Sequence, residues 1–251
     1  MKLTDKTRWE YDESHATLKN LDTIRKRDEW LQVVNKYLPD GELNYLEIGC
    51  APGQYSAILS KDKQWTVSGI DYSDDAEMFL KTLSLVDKDA TLYKIDMFEK
   101  RVEKLFDIVI SIGLVEHFRG ELLDDVFKLH DSYVLPGGHL VIQMPNFTGF
   151  QYFWHYLFDK PDLDNHNVDV MQPNSLQWFN DNGYEVLFND YVGVLRLWGN
   201  SSWNHIRFLG KLIAGIGVTL SKIAIFLDFV GIKLRGRSWS PGLLLIAKKK
   251  S

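Results

Sequence analysis

The sequence predicts an α/β fold in which an open, mostly parallel sheet carries one ligand site along one edge. Two observations lead there. Up to residue 144, short apolar runs with strand character alternate with stretches of helical spacing. Three of those runs also close on a carboxylate, Glu47, Asp71 and Asp96. Ligands of open parallel sheets bind outside the carboxyl ends of the strands, so acids at three successive strand ends face one place.

Residues 13–38 carry Leu21, Ile24, Trp30, Leu31, Val34 and Leu38 at helical spacing, and Pro39-Asp40-Gly41 ends that helix. Arg8, Trp9, Tyr11 and His15 precede or open it. The first strand stops at Gly49, crosses a small-residue turn with Pro52 and Gly53, and passes into a helix over 55–60. A strand, a loop without bulk and a helix N-terminus leave bare backbone for a ligand. Only Gly49 and Gly53 are glycines there, four apart, which departs from the G-x-G-x-x-G spacing that seats a pyrophosphate. Phosphate is therefore disfavoured, and Glu47, two residues before Gly49, points to a ligand that carries positive charge. Cys50 sits in the same loop, where any small residue would satisfy the turn, so no thiol chemistry is assigned to it.

A second strand, 65–70, ends at Asp71, one strand-helix-strand unit after Glu47. A carboxylate at that position can accept from both hydroxyls of a ribose, and Tyr72 offers an apolar face to an adenine ring. Capping of the next helix, 74–86, is the competing role, which Ser73 and Asp74 fill equally well. The third strand, 90–95, runs into Asp96-Met97-Phe98. The fourth, 106–111, continues into Ile112-Gly113-Leu114-Val115-Glu116-His117-Phe118. A helix over 121–134 leads to the turn Leu135-Pro136-Gly137-Gly138 and strand five, 139–144.

Residues 145–172 break the rhythm. They hold Tyr152, Phe153, Trp154, His155, Tyr156 and Phe158, then Asp162, Asp164, Asn165, His166 and Asn167. Aromatic walls beside carboxamides and acids suit a sugar or another polyol, although the same rings could seal a cap. Alternating acids are common in loops, so Asp162, Asp164 and His166 do not amount to a metal site, and no metal is predicted. A helix over 173–182, strand six over 184–191 and a last strand over 242–247 follow, with about fifty residues between the last two.

That long insertion concentrates the basic charge. From Arg196 onward there are ten Lys and Arg against the single acid Asp228, whereas residues 1–195 hold 19 basic and 33 acidic residues, a net of −14. Such a split predicts that the C-terminal part faces an anionic partner or the acidic body of its own chain. Drawn as a helix, 207–233 places Arg207, Lys211, Lys222 and Lys233 in one arc. Leu209, Leu212, Ile213, Ile216, Leu220, Ile223, Leu227 and Val230 fall opposite. The longest uncharged run, 212–221, is ten residues, about half a bilayer span, so crossing a membrane as one helix is not expected. Lying on an anionic bilayer is one use for such a helix, and packing on the domain or on a second copy in a homodimer is the other. Gly210, Gly215, Gly217 and Gly231 argue against an unbroken helix.

At 251 residues, 45% hydrophobic and 13% aromatic, the chain reads as one globular domain with insertions. Residues 1–6 show no apolar signal region, and one cysteine cannot form an internal disulfide; both fit a reducing cytoplasm.

The segment E-x-G-x-x-x-G at Glu47, Gly49 and Gly53 resembles motif I of the class I S-adenosylmethionine-dependent methyltransferases. The run F-D-I-V-I-S-x-G-x-V-E-H-F at 106–118 is similar to motif IV of their small-molecule, quinone- and glycan-modifying members. The Leu-Pro-Gly-Gly turn before strand five belongs to the same pattern, and the resemblance spans about 40–192 and 242–248. It implies a single Rossmann-like domain over 1–251 with a seven-stranded, mostly parallel sheet, the last strand antiparallel, and helices on both faces. A helical cap (1–40), a substrate cap (145–172) and the basic amphipathic insertion (193–241) would decorate it.

The implied cofactor is S-adenosylmethionine. By this resemblance Glu47 lies near its ammonium, and Gly49, Cys50, Ala51 and Gly53 pass close to its amino acid and ribose portions. Asp71 and Tyr72 take the ribose and adenine edge, Asp96 and the Met97 amide take the adenine, and Ser111, Ile112 and Gly113 line the methionine part. Glu116 and His117 stand near the transferable methyl, and Trp9 or Tyr11 could close a lid, or dock the N-terminal helix on the sheet.

The expected activity is methylation of an oxygen, ahead of nitrogen or carbon, on a small or lipid-linked acceptor such as a surface-glycan saccharide. A quinone-type O- or C-methyltransferase, or a catalytically silent cofactor-binding module recruiting a partner to membranes, are the alternatives. A hydroxyl acceptor needs a base near neutral pH, for which His117 comes first, then His166 and His155, with Glu116 beside them. Nucleic acid is disfavoured, because the predicted pocket lies in the acidic part of the chain. The expected location is cytoplasmic, with peripheral contact through 203–237 at the inner face of the membrane.

Overall fold

A computed structural model describes residues 17–199, 201–203 and 205–251. Trp9 and Tyr11, and with them the expected lid, lie outside the described residues. Helix α1 (Leu18–Arg27) starts at Thr17, whose hydroxyl accepts from the Asn20 amide at 3.2 Å, and α2 (Trp30–Tyr37) follows after a break. One continuous helix over 13–38 is therefore corrected to two. At Asp28 the backbone leaves helical geometry, and its carboxylate is held by Arg27 and by the Tyr55 hydroxyl at 2.9 Å.

The sheet consists of β1 (Leu43–Ile48), β2 (Trp65–Asp71), β3 (Ala90–Lys94), β4 (Phe106–Ile112), β5 (Val134–Pro145), β6 (Tyr184–Val192) and β7 (Gly242–Lys249). Their order is β3-β2-β1-β4-β5-β7-β6, with β7 antiparallel to both neighbours and the first five strands parallel. The reversal of order on either side of β1 and β4 puts their carboxyl ends at the switch point where such sheets bind ligands.

Between strands run α3 (Gln54–Ser60), α4 (Met78–Ser84) and α5 (Glu121–Tyr133), then α6 (Gly149–Phe158), α7 (Lys160–Asn165), α8 (Gln177–Asp181) and α9 (Arg207–Phe229). The predicted turn at 135–138 is absorbed into β5. The register slips between Phe106 and Ile108, and a Cβ on Gly138 would come within 3.0 Å of the Asp107 carbonyl, so only glycine fits this bulge.

Both faces of the sheet are covered. Tyr45, Val67, Ile108, Ile110, Leu244 and Ile246 pack with Trp30, Leu31, Val34 and Phe79, while Leu46, Ile48, Val109, Leu243 and Leu245 pack with Val126, Phe127, Leu129 and Phe179. Consecutive residues of β4 and β7 are thus buried on opposite sides, which is why these strands read as unbroken apolar runs. A separate core joins the two insertions: Trp154 of α6, Val194, Leu195 and Leu197, and Ile213 and Ala224 of α9.

Helix α9 is unbroken despite its glycines. Gly217 lies where a Cβ would sit 2.9 Å from the Trp154 ring, and the Ser221 hydroxyl accepts from the Leu197 amide at 2.9 Å. Its apolar residues exceed what that docking buries: Phe208, Leu212, Ile216, Ile223, Phe226 and Phe229 are exposed. Over Phe208–Phe229 the helix is 22 residues long with mean hydropathy 1.8, and 17% of its most apolar window is buried. By length and composition alone it could cross a membrane, which corrects the expectation drawn from the ten-residue uncharged run. Lys211 and Lys222 interrupt the run without breaking the helix.

Candidate active site

At the carboxyl end of β1 the chain turns through Gly49 and Gly53, both with positive φ. The Gly49 and Cys50 amides bond the Ile70 carbonyl at 2.8 and 3.2 Å, which lays the loop across β2. A Cβ on Gly53 would meet Phe79 at 2.9 Å, so the loop approaches α4 as closely as backbone allows. Asp71 stitches the loop in place. Its Oδ2 accepts from the Ala51 amide at 3.0 Å and its Oδ1 from the Ser73 amide at 2.8 Å, leaving each oxygen a further lone pair for a ligand hydroxyl.

Glu47 is 4% exposed, with Oε2 on the Ser56 hydroxyl. Burial pushes its carboxyl up to about 8, the Ser56 bond pulls against that, and the Asp71 charge adds to it. Asp96 follows β3, the neighbour of the strand that ends at Asp71, and accepts from the Phe98 amide at 2.9 Å. The three acids do close three adjacent strands, β1, β2 and β3. Tyr72 is exposed beside them, and the Met97 side chain is buried, leaving its backbone for a ring. A cleft of about 540 Å³ between α1 and the start of α3 is walled in part by Ile24, Arg27 and Gln54, the residue after Gly53.

Cys50 is buried against Gly69, and burial, ahead of the charges of Asp71 and Glu47, pushes its thiol up. The expectation for Ser111 changes. Ser111 is fully buried with Oγ 2.8 Å from His130 Nε2, and His130 Nδ1 lies 2.7 Å from the Val126 carbonyl. His130 donates from Nδ1, so Ser111 donates to Nε2 and its side chain serves packing rather than cofactor. Ile112 and Gly113 remain at the strand end, where the Gly113 amide bonds the Gln143 carbonyl at 2.9 Å.

The loop after β4 meets the cap. Arg119 donates to the His166 carbonyl at 2.6 Å, the Asn167 amide to the Glu116 carbonyl at 2.6 Å, and the Asn167 carboxamide to the Phe118 carbonyl at 2.8 Å. These bonds bring His166 onto His117, ring centroids 4.6 Å apart, and gather Glu116, His117 and His166 into one cluster, while His155, the third base named, lies outside it. Glu116 is 1% exposed beside Gly113, whose Cβ position would lie 3.6 Å from Oε1. Burial pushes Glu116 up to about 8, its own backbone opposes this, and Asp162 adds to it. His117 is pulled down to about 4, first by burial and then by His166. Its expected titration near neutrality is therefore corrected: at pH 7 it is a neutral, weak base.

His155 is fully buried, its Nδ1 3.6 Å from Asp159, with Asp162 completing a second group. Phe147 separates the two groups, 4.1 Å from the His155 ring and 4.8 Å from that of His166. Asp164 turns outward to Lys160 at 2.7 Å. Sequence reasoning missed Asp159 and His130, whose roles come from side-chain direction alone.

Residues 21–205 match the family model described as a methyltransferase domain. No protein of curated function matches the chain in sequence. Among solved structures, a SAM-dependent methyltransferase from Archaeoglobus fulgidus is 20% identical, with TM-score 0.57 over 94% of this chain and 97% of that one. A protein from Pyrococcus horikoshii OT3 is 15% identical, with TM-score 0.59 over 96% and 100%. A SAM-dependent methyltransferase from Thiobacillus denitrificans, solved with S-adenosyl-L-homocysteine, is 15% identical, with TM-score 0.53 over 88% and 91%. At these identities the likeness is one of fold.

Proposed function

Because the chain belongs to the methyltransferase-domain family and is an S-adenosylmethionine-dependent enzyme, we propose that it methylates a hydroxyl oxygen of a saccharide carried on a lipid. The site chemistry suits the cofactor. A buried Glu47 kept protonated by its surroundings would regain its charge beside an ammonium, and Asp71 and Asp96 offer acceptors to ribose and adenine. The bound cofactor supplies a methyl on a cationic sulfur. The chain's own residues would align it: Gly49, Ala51 and Gly53 by bare backbone, Ile112 and Gly113 under the methionine part, and Glu116, His117 and His166 at the acceptor end.

One observation carries the acceptor class. Helix α6 exposes Tyr152 and Tyr156, stacked at 6.1 Å, and through its buried Trp154 shares a core with α9, whose outer face is apolar. Rings on the same cap as the acid Asp162 and the carboxamide of Asn167 suit a sugar, and the outer face of α9 suits the lipid that would carry it. We read α9 as lying on the inner surface of an anionic bilayer. A quinone acceptor would use the same apolar surface without the polar groups of the cap.

Mass spectrometry of lipid-extractable and soluble metabolites from cells with and without the protein tests this reading. A saccharide lipid heavier by about 14 Da, one methylene, is expected only in cells that have it. A quinone carrying that difference, or no methylated product with retained cofactor binding, would overturn it in favour of the quinone enzyme or the silent module.

A further inference from the structure

Where the loop after β4 meets the cap, three side chains converge in an arrangement that proton transfer alone does not explain. One ligand atom from each of Glu116, His117 and His166 lies within 4.8 Å of the other two. Both carboxyl oxygens of Glu116 are buried with no hydrogen-bond partner among the described residues. A group so placed is costly to keep unless something else satisfies it.

The histidines have the complementary form. His166 Nδ1 lies 2.6 Å from the Asp162 carbonyl, so that nitrogen donates and Nε2 carries the lone pair. Metal-bound histidines are oriented in this way, by an outer partner on the other ring nitrogen. Backbone carbonyls of Asn165 and Gly113 stand by His117. Arg119 and Asn167 clamp the two loops that carry the set.

We propose that Glu116, His117 and His166 bind a divalent first-row transition-metal ion of the zinc class at the acceptor end of the cofactor cleft. Two imidazoles and a carboxylate suit such an ion and leave coordination positions open. The ion's role rests on the methyl-transfer reading. It would lower the pKa of the acceptor hydroxyl. The proton passes to water, the oxygen lone pair forms the new O–C bond, and the C–S bond breaks with its electron pair remaining on sulfur, which leaves as a neutral thioether.

The test uses the full chain, stripped with chelator and titrated with Zn²⁺ and with Co²⁺ as a visible probe. Elemental analysis is expected to find one zinc per chain, and Co²⁺ to give ligand-field absorption bands. Glu116→Gln and His166→Ala should each weaken binding by more than about 100-fold, beyond the cost of losing an outer-shell partner. Calorimetry with S-adenosyl-L-homocysteine checks that both variants keep the cofactor fold. Wild-type protein that takes up no Zn²⁺ or Co²⁺, or folded variants that take up as much as wild type, would overturn the site. Methylation that persists in chelator with no metal bound would sink the ion and spare the methyl-transfer reading. Metal uptake without cofactor heat would do the reverse.

Discussion

Glu47 sits beneath the glycine loop with its carboxyl pushed by burial from 4.5 up to about 8. Between those values the folded chain holds a proton that the unfolded chain has lost. The contribution of this group to stability is thus fullest below about pH 4.5, falls by roughly 1.4 kcal/mol per pH unit as pH rises toward 8, and levels off above it. Glu47→Gln keeps the shape of the protonated acid and removes the titration. Thermal melts of the ligand-free variant should lose that slope and lie above wild type at pH 7.5. Calorimetry with S-adenosyl-L-homocysteine, which carries the ammonium, should show binding weakened about 10- to 100-fold, the worth of a charged hydrogen bond. A variant that melts below wild type at pH 7.5, or binds equally well, would remove Glu47 from the role given to it. The three strand-end acids were legible in the sequence because their charge and position can be read from the letters. Ser111 was not, since β4 is apolar on both faces and its sequence carries no alternation to say which way a side chain points.

Helix α9 shows where reading by element succeeds and where it stops. Its amphipathic spacing was visible, and its glycines argued for a break that does not occur. Gly217 is present because the Trp154 ring leaves no room for a side chain, a reason carried by a residue 63 positions earlier. Gly215 meets nothing within 4 Å of its Cβ position, so it only loosens the helix. The two should respond in opposite directions in urea unfolding: Gly217→Val destabilising by about 1–3 kcal/mol through overpacking, and Gly215→Ala stabilising by about 0.5–1 kcal/mol. Equal effects at both sites would mean that α9 is not docked on α6 in solution. The division of 13–38 into α1 and α2 was hidden for a similar reason. The partner that holds Asp28 out of the helix is Tyr55, beyond the first strand. The Glu116, His117 and His166 cluster combines both lessons: each residue was recognisable as chemistry, and their meeting depends on the cap folding back through Asn167.

At the scale of the whole molecule the charge split resolves into two parts. Some of the C-terminal basic charge answers the chain's own acids, with Arg235 bonding Glu29 and Asp228 at 2.9 and 2.8 Å and Lys249 pairing Asp131 at 2.7 Å. Lys211 and Lys222 instead stand exposed on α9, flanking Phe208 and Phe226 on its outer arc, with Phe229 87% exposed at its end. An apolar strip of that size bordered by lysines fits a bilayer interface better than water. The full chain should co-sediment with vesicles rich in phosphatidylglycerol and much less with phosphatidylcholine alone. Raising salt should weaken that binding, since the attraction is screened within about 10 Å at 0.1 M. Reversing Lys211 and Lys222 to Glu removes at least about 2 kcal/mol of surface attraction, roughly 30-fold in partitioning. Phe226→Ser with Phe229→Ser should reduce binding to both vesicle types, because it acts on the apolar insertion that the two share. If the wild-type chain stays in the supernatant and light scattering finds a dimer that the Phe226→Ser, Phe229→Ser variant dissociates, the outer face of α9 belongs to a second copy and the membrane assignment fails.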